Sequence, residues 1–152
     1  MTKVMRQPSL ARCRRSLLPA IVGLLAVGAA TGCAGIDSSQ KLPAVNVSVR
    51  DFRVKSEREL PSGEVRLRVY NKGPDTHELI LVRTGQGPLP LRGDGLTVDE
   101  DALESLTVTT VDGLEPGMRK EARIHLRPGR YVLFCNMAGH YLSGMHTIVV
   151  AR

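Results

Sequence analysis

From residue 45 onward, apolar and polar positions alternate with a period of two. Val45, Val47 and Val49 are separated by polar residues, the pattern continues in Phe52 and Val54 after a bulge at Asp51, and it resumes in Val65, Leu67 and Val69 beyond Pro61-Ser62-Gly63. Successive side chains of a strand point to opposite faces, so this pattern predicts half-buried strands. His77, Leu79 and Leu81 share one face of the next strand, Val108 and Val111 mark a short one, and Ala122, Ile124 and Leu126 share a face of another. Tyr131 to Cys135 and Thr147 to Ala151 finish the set. Seven or eight short strands with turn residues between them predict an all-β sandwich or barrel.

Two stretches break the pattern. Residues 34–44 are polar and aperiodic, as suits a tether. Thr84 to Leu106 spans 23 residues, an uncomfortable length for a structureless loop inside a domain. A short helix relieves it: Thr97 and Glu100 form a capping box, and Ala102, Leu103 and Leu106 supply an apolar stripe. No internal repeat or second domain is evident.

Charge and the N-terminus belong together. Five of the 21 basic residues lie in the first fifteen positions, where no acidic residue occurs, and removing them leaves 16 basic against 15 acidic. A body near +1 has no net field to steer phosphate, and 3% aromatic content leaves few stacking platforms, so no nucleic-acid partner is expected. The cationic stretch precedes Leu17 to Ala30, fourteen mostly apolar residues that would span roughly 21 Å as a helix, short of a ~30 Å bilayer core. Residues 1–32 therefore read as a signal peptide. Its end, Ala29-Ala30-Thr31-Gly32-Cys33, resembles a bacterial lipobox, which would lipidate Cys33 and make residues 33–44 a lipidated tether to a domain at 45–152. The alternative is an ordinary small-residue cleavage site with a coincidental cysteine. Arg14-Arg15 also loosely resembles a twin-arginine signal.

With Cys13 removed and Cys33 acylated, Cys135 is the one free thiol of the processed chain, and no intramolecular disulfide is possible. A lone thiol in an oxidising compartment is either deeply buried or a metal ligand. The chemistry around it favours a ligand. Cys135, His140 and Met145 fall at C-x4-H-x4-M on a loop before the last strand. A thiolate, an imidazole and a thioether there can converge on one ion, and a second imidazole would complete a His2Cys set with a weak axial Met. His77 follows the turn Asn71 to Thr76 and is the natural supplier. His125 lies opposite the apolar face of its strand, His146 has outward parity to Met145, and Met118 and Met137 suit packing or surface.

These residues carry a resemblance to the cupredoxins, the small blue copper proteins that include plastocyanin, azurin and auracyanin. It covers Val45 to Arg152 through Asp51-Phe52, Asn71-x-Gly73 before His77, Pro128-Gly129-x-Tyr131 and the Cys135 to Met145 loop, whose spacing is nearest the auracyanin type. The resemblance implies a Greek-key β-sandwich binding one copper ion, Cu(I) or Cu(II), through His77, Cys135, His140 and Met145. Two departures stand out: Ala138 replaces the proline that often precedes Gly-His, and Glu78 replaces the asparagine that pins the ligand loop in plastocyanin and azurin. The implied protein is not an enzyme, because four protein ligands leave no open coordination position and one domain cannot assemble a multicopper site. It is expected to be an exported monomer on a membrane lipid anchor, passing single electrons between redox partner proteins. A copper carrier supplying a cuproenzyme, and an interaction domain that binds no metal, are the alternatives.

Overall fold

The computed structural model describes residues 41–152, so the expected signal segment, Cys33 and the tether up to residue 40 lie outside the described residues. Within them, alternation becomes two sheets. The first has the order β2-β1-β4-β7, from β1 (Ala44–Arg50), β2 (Arg53–Lys55), β4 (Gly63–Asn71) and β7 (Arg119–Leu126). The second has the order β3-β9-β8-β5-β6, from β3 (Glu59–Leu60), β5 (His77–Arg83), β6 (Thr107–Leu114), β8 (Gly129–Phe134) and β9 (His146–Ala151). Pairings are antiparallel except β1 with β4 and β3 with β9. The sandwich alternative of the sequence reading is the one realised.

The valines of β1 and β4 explain the register. Val45, Val47 and Val49 lie opposite Leu67, Val69 and Asn71, and all are buried. The apolar five of these pack toward Leu79, Leu81, Tyr131 and Leu133 of the other sheet in one cluster that also takes in Cys135 and Met145. Each such side chain contributes about 1.5–3 kcal/mol on burial, and a one-residue slip would turn every one of them to solvent. Tyr131 closes a corner by donating its hydroxyl to the Arg127 carbonyl at 2.7 Å.

The long loop has a packing role that alternation concealed. Leu89, Val98 and Leu103 cover Ile80, Val82, Val132 and Phe134 on the outer face of the second sheet, forming a second buried cluster. Consequently β5 and β8 are buried on both faces, which is why Leu79 to Val82 and Val132 to Phe134 are continuous apolar runs. The loop does contain a helix, α1 (Glu100–Leu103), continued by a 3-10 turn at Glu104–Leu106. Its cap corrects the expectation. Asp99, not Thr97, accepts the Ala102 N–H, whereas Thr97 is held by the Asp94 carboxylate. Of the predicted apolar stripe only Leu103 is buried; Leu106 ends the 3-10 turn, whose tighter winding takes it off the α-helical stripe, and it is exposed.

The near-balance of charge beyond the first fifteen residues hides strong segregation. The outward face of the first sheet carries Arg50, Arg53, Lys55, Arg66, Arg68, Arg119 and Arg123 against only Glu64 and Glu121. Glu121 bridges Arg68 at 2.8 Å and lies 3.8 Å from Arg66, so among the described residues most of these cations have no acidic partner on that face.

Candidate metal centre

A single buried amide builds the turn that delivers the first histidine. Asn71 donates through Nδ2 to the carbonyls of Asp75 and Leu114, each at 2.7 Å, and its Oδ1 accepts the Gly73 N–H at 2.8 Å. The turn is thereby fixed at both ends, and His77 enters as the first residue of β5, 1% exposed. Strand β8 runs antiparallel to β5 with Phe134 opposite Ile80, so the chain leaves β8 beside the start of β5. Cys135 is the next residue and is fully buried.

Backbone bonds then fold the loop back onto itself. Cys135 N–H donates to the Met145 carbonyl at 3.1 Å, Met145 N–H to the His140 carbonyl at 3.0 Å, and His140 N–H to the Met137 carbonyl at 2.8 Å. Gly139 and Gly144, each preceding one of the predicted ligands, have φ of +78° and +92°. The requirement for glycine is one of backbone conformation, since a Cβ at either position would meet nothing within 4 Å.

Three of the four predicted side chains, those of His77, Cys135 and His140, converge. Cys135 Sγ lies 3.5 Å from His140 Nδ1 and 4.0 Å from His77 Nδ1, and the three donor atoms all fall within 4.8 Å of one another. Metal bonds of about 2.0 Å to nitrogen and 2.3 Å to sulfur limit the separation of two donors on one ion to about 4.3 Å, so both sulfur–nitrogen distances fit a shared ion. Met145 is fully buried, in the core cluster that also contains Cys135. His125 and His146 are exposed and paired elsewhere, with Glu64 and with the Tyr141 carbonyl.

Protonation is prepared by neighbours. Asp51 Oδ1 lies 3.1 Å from His77 Nε2. A carboxylate only accepts, so the proton of the neutral ring sits on Nε2 and Nδ1 presents its lone pair toward Cys135. Burial raises the Cys135 thiol pKa, opposed by hydrogen bonds from the backbone N–H groups of Glu78 and Met137. Burial lowers the pKa of His140, and so does the charge His77 would carry when protonated, against the pull of Asp51 and Asp75.

Three supporting residues have roles the sequence did not show. Phe52, expected to continue a strand, sits in a turn at φ +57°, 53% exposed, and its ring meets that of His140 edge-on with centroids 5.4 Å apart. The left-handed conformation costs a bulky residue about 1–3 kcal/mol. Asn136 is buried, accepts the Val98 N–H at 2.6 Å and donates to the Val98 carbonyl at 3.1 Å and to Glu100 at 2.6 Å. Glu78 has its pKa raised by burial first and by Glu100 second, while its carboxyl takes a hydrogen bond from the Asn136 backbone N–H. The ligand loop is thus pinned despite the missing asparagine at position 78, from Glu78 on one side and from the long loop on the other.

No family model and no curated relative matches the chain. Solved structures do. Auracyanin from the photosynthetic bacterium Roseiflexus castenholzii superposes with a TM-score of 0.55 at 18% identity, over 72% of this chain and 96% of that one. Auracyanin A, a blue copper protein from Chloroflexus aurantiacus, gives 0.51 at 19% identity over 72% and 99%. Rusticyanin from Thiobacillus ferrooxidans gives 0.50 at 15% identity over 72% and 77%. At these identities the likeness speaks for architecture, and the chain has the cupredoxin fold.

Proposed function

We propose that this chain is a mononuclear blue copper protein that carries single electrons outside the cytoplasm, tethered to a membrane through lipid on Cys33. One observation carries the reading: a buried thiol and two imidazole Nδ1 atoms converge at one end of a cupredoxin-fold sandwich, within 4.8 Å of one another. The fold's copper-protein relatives, auracyanin and rusticyanin, support it. His77, Cys135 and His140 would hold the ion, and Met145, buried in the same core cluster as Cys135, would be the fourth donor. Copper held by such a set would exchange one electron with little rearrangement, because soft sulfur suits Cu(I) and nitrogen suits Cu(II).

The chain's own residues do the rest. Asp51 keeps His77 Nδ1 free of its proton, the N–H groups of Glu78 and Met137 stabilise the thiolate, and burial excludes water from Cys135. Among the three donors only His140 is partly exposed, which makes it the route by which an electron leaves. All donors come from protein, so the reading assigns no substrate position and no enzymatic activity.

The test is to add Cu(II) to the purified protein and record its visible spectrum before and after ascorbate. An intense thiolate-to-copper band that ascorbate bleaches reversibly, and that Cys135→Ser abolishes, is expected. Only the faint absorption of a nitrogen and oxygen site would overturn the proposal.

A further inference from the structure

We infer that the Asp51–Phe52 turn is a positioning device for both imidazoles of the proposed centre: Asp51 selects the metal-binding nitrogen of His77 and favours the oxidised ion, and Phe52 holds the ring of His140. The inference rests on the copper reading above. Two adjacent residues of the β1–β2 turn, in the first sheet, reach the two histidines, which come from β5 and the ligand loop. Asp51 Oδ1 contacts His77 Nε2 at 3.1 Å while the Phe52 ring contacts His140 at 5.4 Å between centroids, and the two imidazoles are themselves 5.3 Å apart.

The surroundings are shaped for this contact. A Cβ on Gly73 would stand 2.8 Å from Asp51 Oδ1 and 3.0 Å from Arg50 Cα, so only glycine lets the carboxylate lie against the histidine turn. Phe52 keeps a left-handed backbone and leaves half its surface in water, so core packing does not explain its conformation. The ring's contact with His140 does. Strain of this sort persists where surrounding structure over-determines it, often at functional sites.

The charge has a direction. A carboxylate one imidazole away from the ion stabilises the more highly charged Cu(II) relative to Cu(I), and groups that orient ligating histidines tune affinity as well as geometry. Asp51→Asn keeps an oxygen that can accept the Nε2 proton but removes the charge. It should keep the thiolate band and raise the reduction potential; a tenfold loss in preference for Cu(II) corresponds to about 59 mV for one electron. Asp51→Ala removes the acceptor too and should weaken Cu(II) binding about 10–100-fold. Phe52→Gly tolerates the left-handed backbone while deleting the ring, and should speed copper loss to a chelator at least tenfold.

Nitrogen-15 NMR of the protein without added metal supplies a second readout at a single pH. His77 should be the Nε2-protonated tautomer in the wild type and a tautomer mixture in Asp51→Ala. An Nδ1-protonated His77, or an Asp51→Asn potential at or below that of the wild type, would overturn the role of Asp51. A Phe52→Gly chelator rate equal to that of the wild type would overturn the role of Phe52. Absence of the thiolate band in the wild type would instead sink the copper reading, and the NMR arm would still decide the Asp51–His77 pairing.

Discussion

Replacing Asn136 by alanine isolates the contact that ties the ligand loop to the long loop. The side chain makes three hydrogen bonds, two of them to the backbone of Val98, which is itself fully buried. A net hydrogen bond contributes about 0.5–1.5 kcal/mol, and a buried N–H left without a partner costs about 1–3 kcal/mol. Val98 N–H has no water to turn to, so its orphaning dominates, and the bonds to the Val98 carbonyl and to Glu100 add the remainder. A loss of about 3 kcal/mol follows, a large fraction of the roughly 5–15 kcal/mol that holds an ordinary domain together. For a domain of this size, that lowers Tm by about 12 °C. The assay is reversible urea unfolding followed by circular dichroism without added metal, so that copper affinity does not enter. Asn136→Asp is the companion variant: it keeps the acceptor for Val98 N–H but sets a carboxylate against Glu100, and should be similarly destabilised. Leu106→Ala, at an exposed position, should stay near the wild type. A loss below about 1 kcal/mol in Asn136→Ala would refute the reasoning, because it would equate the network with an ordinary surface contact.

Gly73→Ala should destabilise the fold by about 1–3 kcal/mol in the same urea assay, since its Cβ would press on Asp51 and the Arg50 backbone; an unchanged midpoint would show that the β1–β2 turn gives way freely. The pKa of the Asp94 carboxyl is lowered by hydrogen bonds from the Leu96 N–H, then from the N–H and hydroxyl of Thr97. Its contribution is therefore present above the ordinary aspartate value of 3.8 and lost as pH falls through the lower folded value; a carboxyl NMR titration with its midpoint at 3.8 would contradict this. Cys33→Ser in the full-length precursor should move the protein from membranes to the soluble exported fraction, because acyl chains add about 0.8 kcal/mol per buried CH₂; unchanged retention on fractionation would remove the lipid-anchor proposal.

How much was legible in the sequence depended on whether a contact was local. The strands of β1, β4 and β7 were readable because one face of each is wet, so period-two alternation survives in the residue types. Cys135, His140 and Met145 were readable as candidates because eleven residues of one loop carry all three. Asp51 and His77 are 26 residues apart, and Phe52 and His140 lie farther still; only tertiary folding brings them together, and a strand-continuing Phe was the natural local reading. The two-residue strand β3 is too short to show a period, and its pairing with β9 depends on a neighbour 91 positions away in Glu59 and Val150. The long loop misled for a related reason. Thr97 and Glu100 have capping-box spacing, but Asp94 takes the threonine hydroxyl and Asp99 stands nearer the helix start. The basic face of the first sheet was hidden because counting charges along a chain averages over faces that pleating separates.

The way the donors are anchored bears on the choice between carrying electrons and delivering copper. His77 heads a strand that is paired on both sides and is held at Nε2 by Asp51, and Cys135 is held at its N–H by the Met145 carbonyl. Met145 is in turn tied to the His140 carbonyl, so displacing one donor strains the anchors of the next. A delivery protein must surrender its ion by letting donors detach in sequence, which a mobile, exposed ligand set makes easy. Here two of the three converging donors are fully enclosed, and the one partly exposed ring, His140, is braced by Phe52. An electron can cross an imidazole edge without any donor moving, whereas copper cannot leave without breaking this chain of contacts, and the anchoring therefore supports the electron-carrier reading over the copper-delivery one.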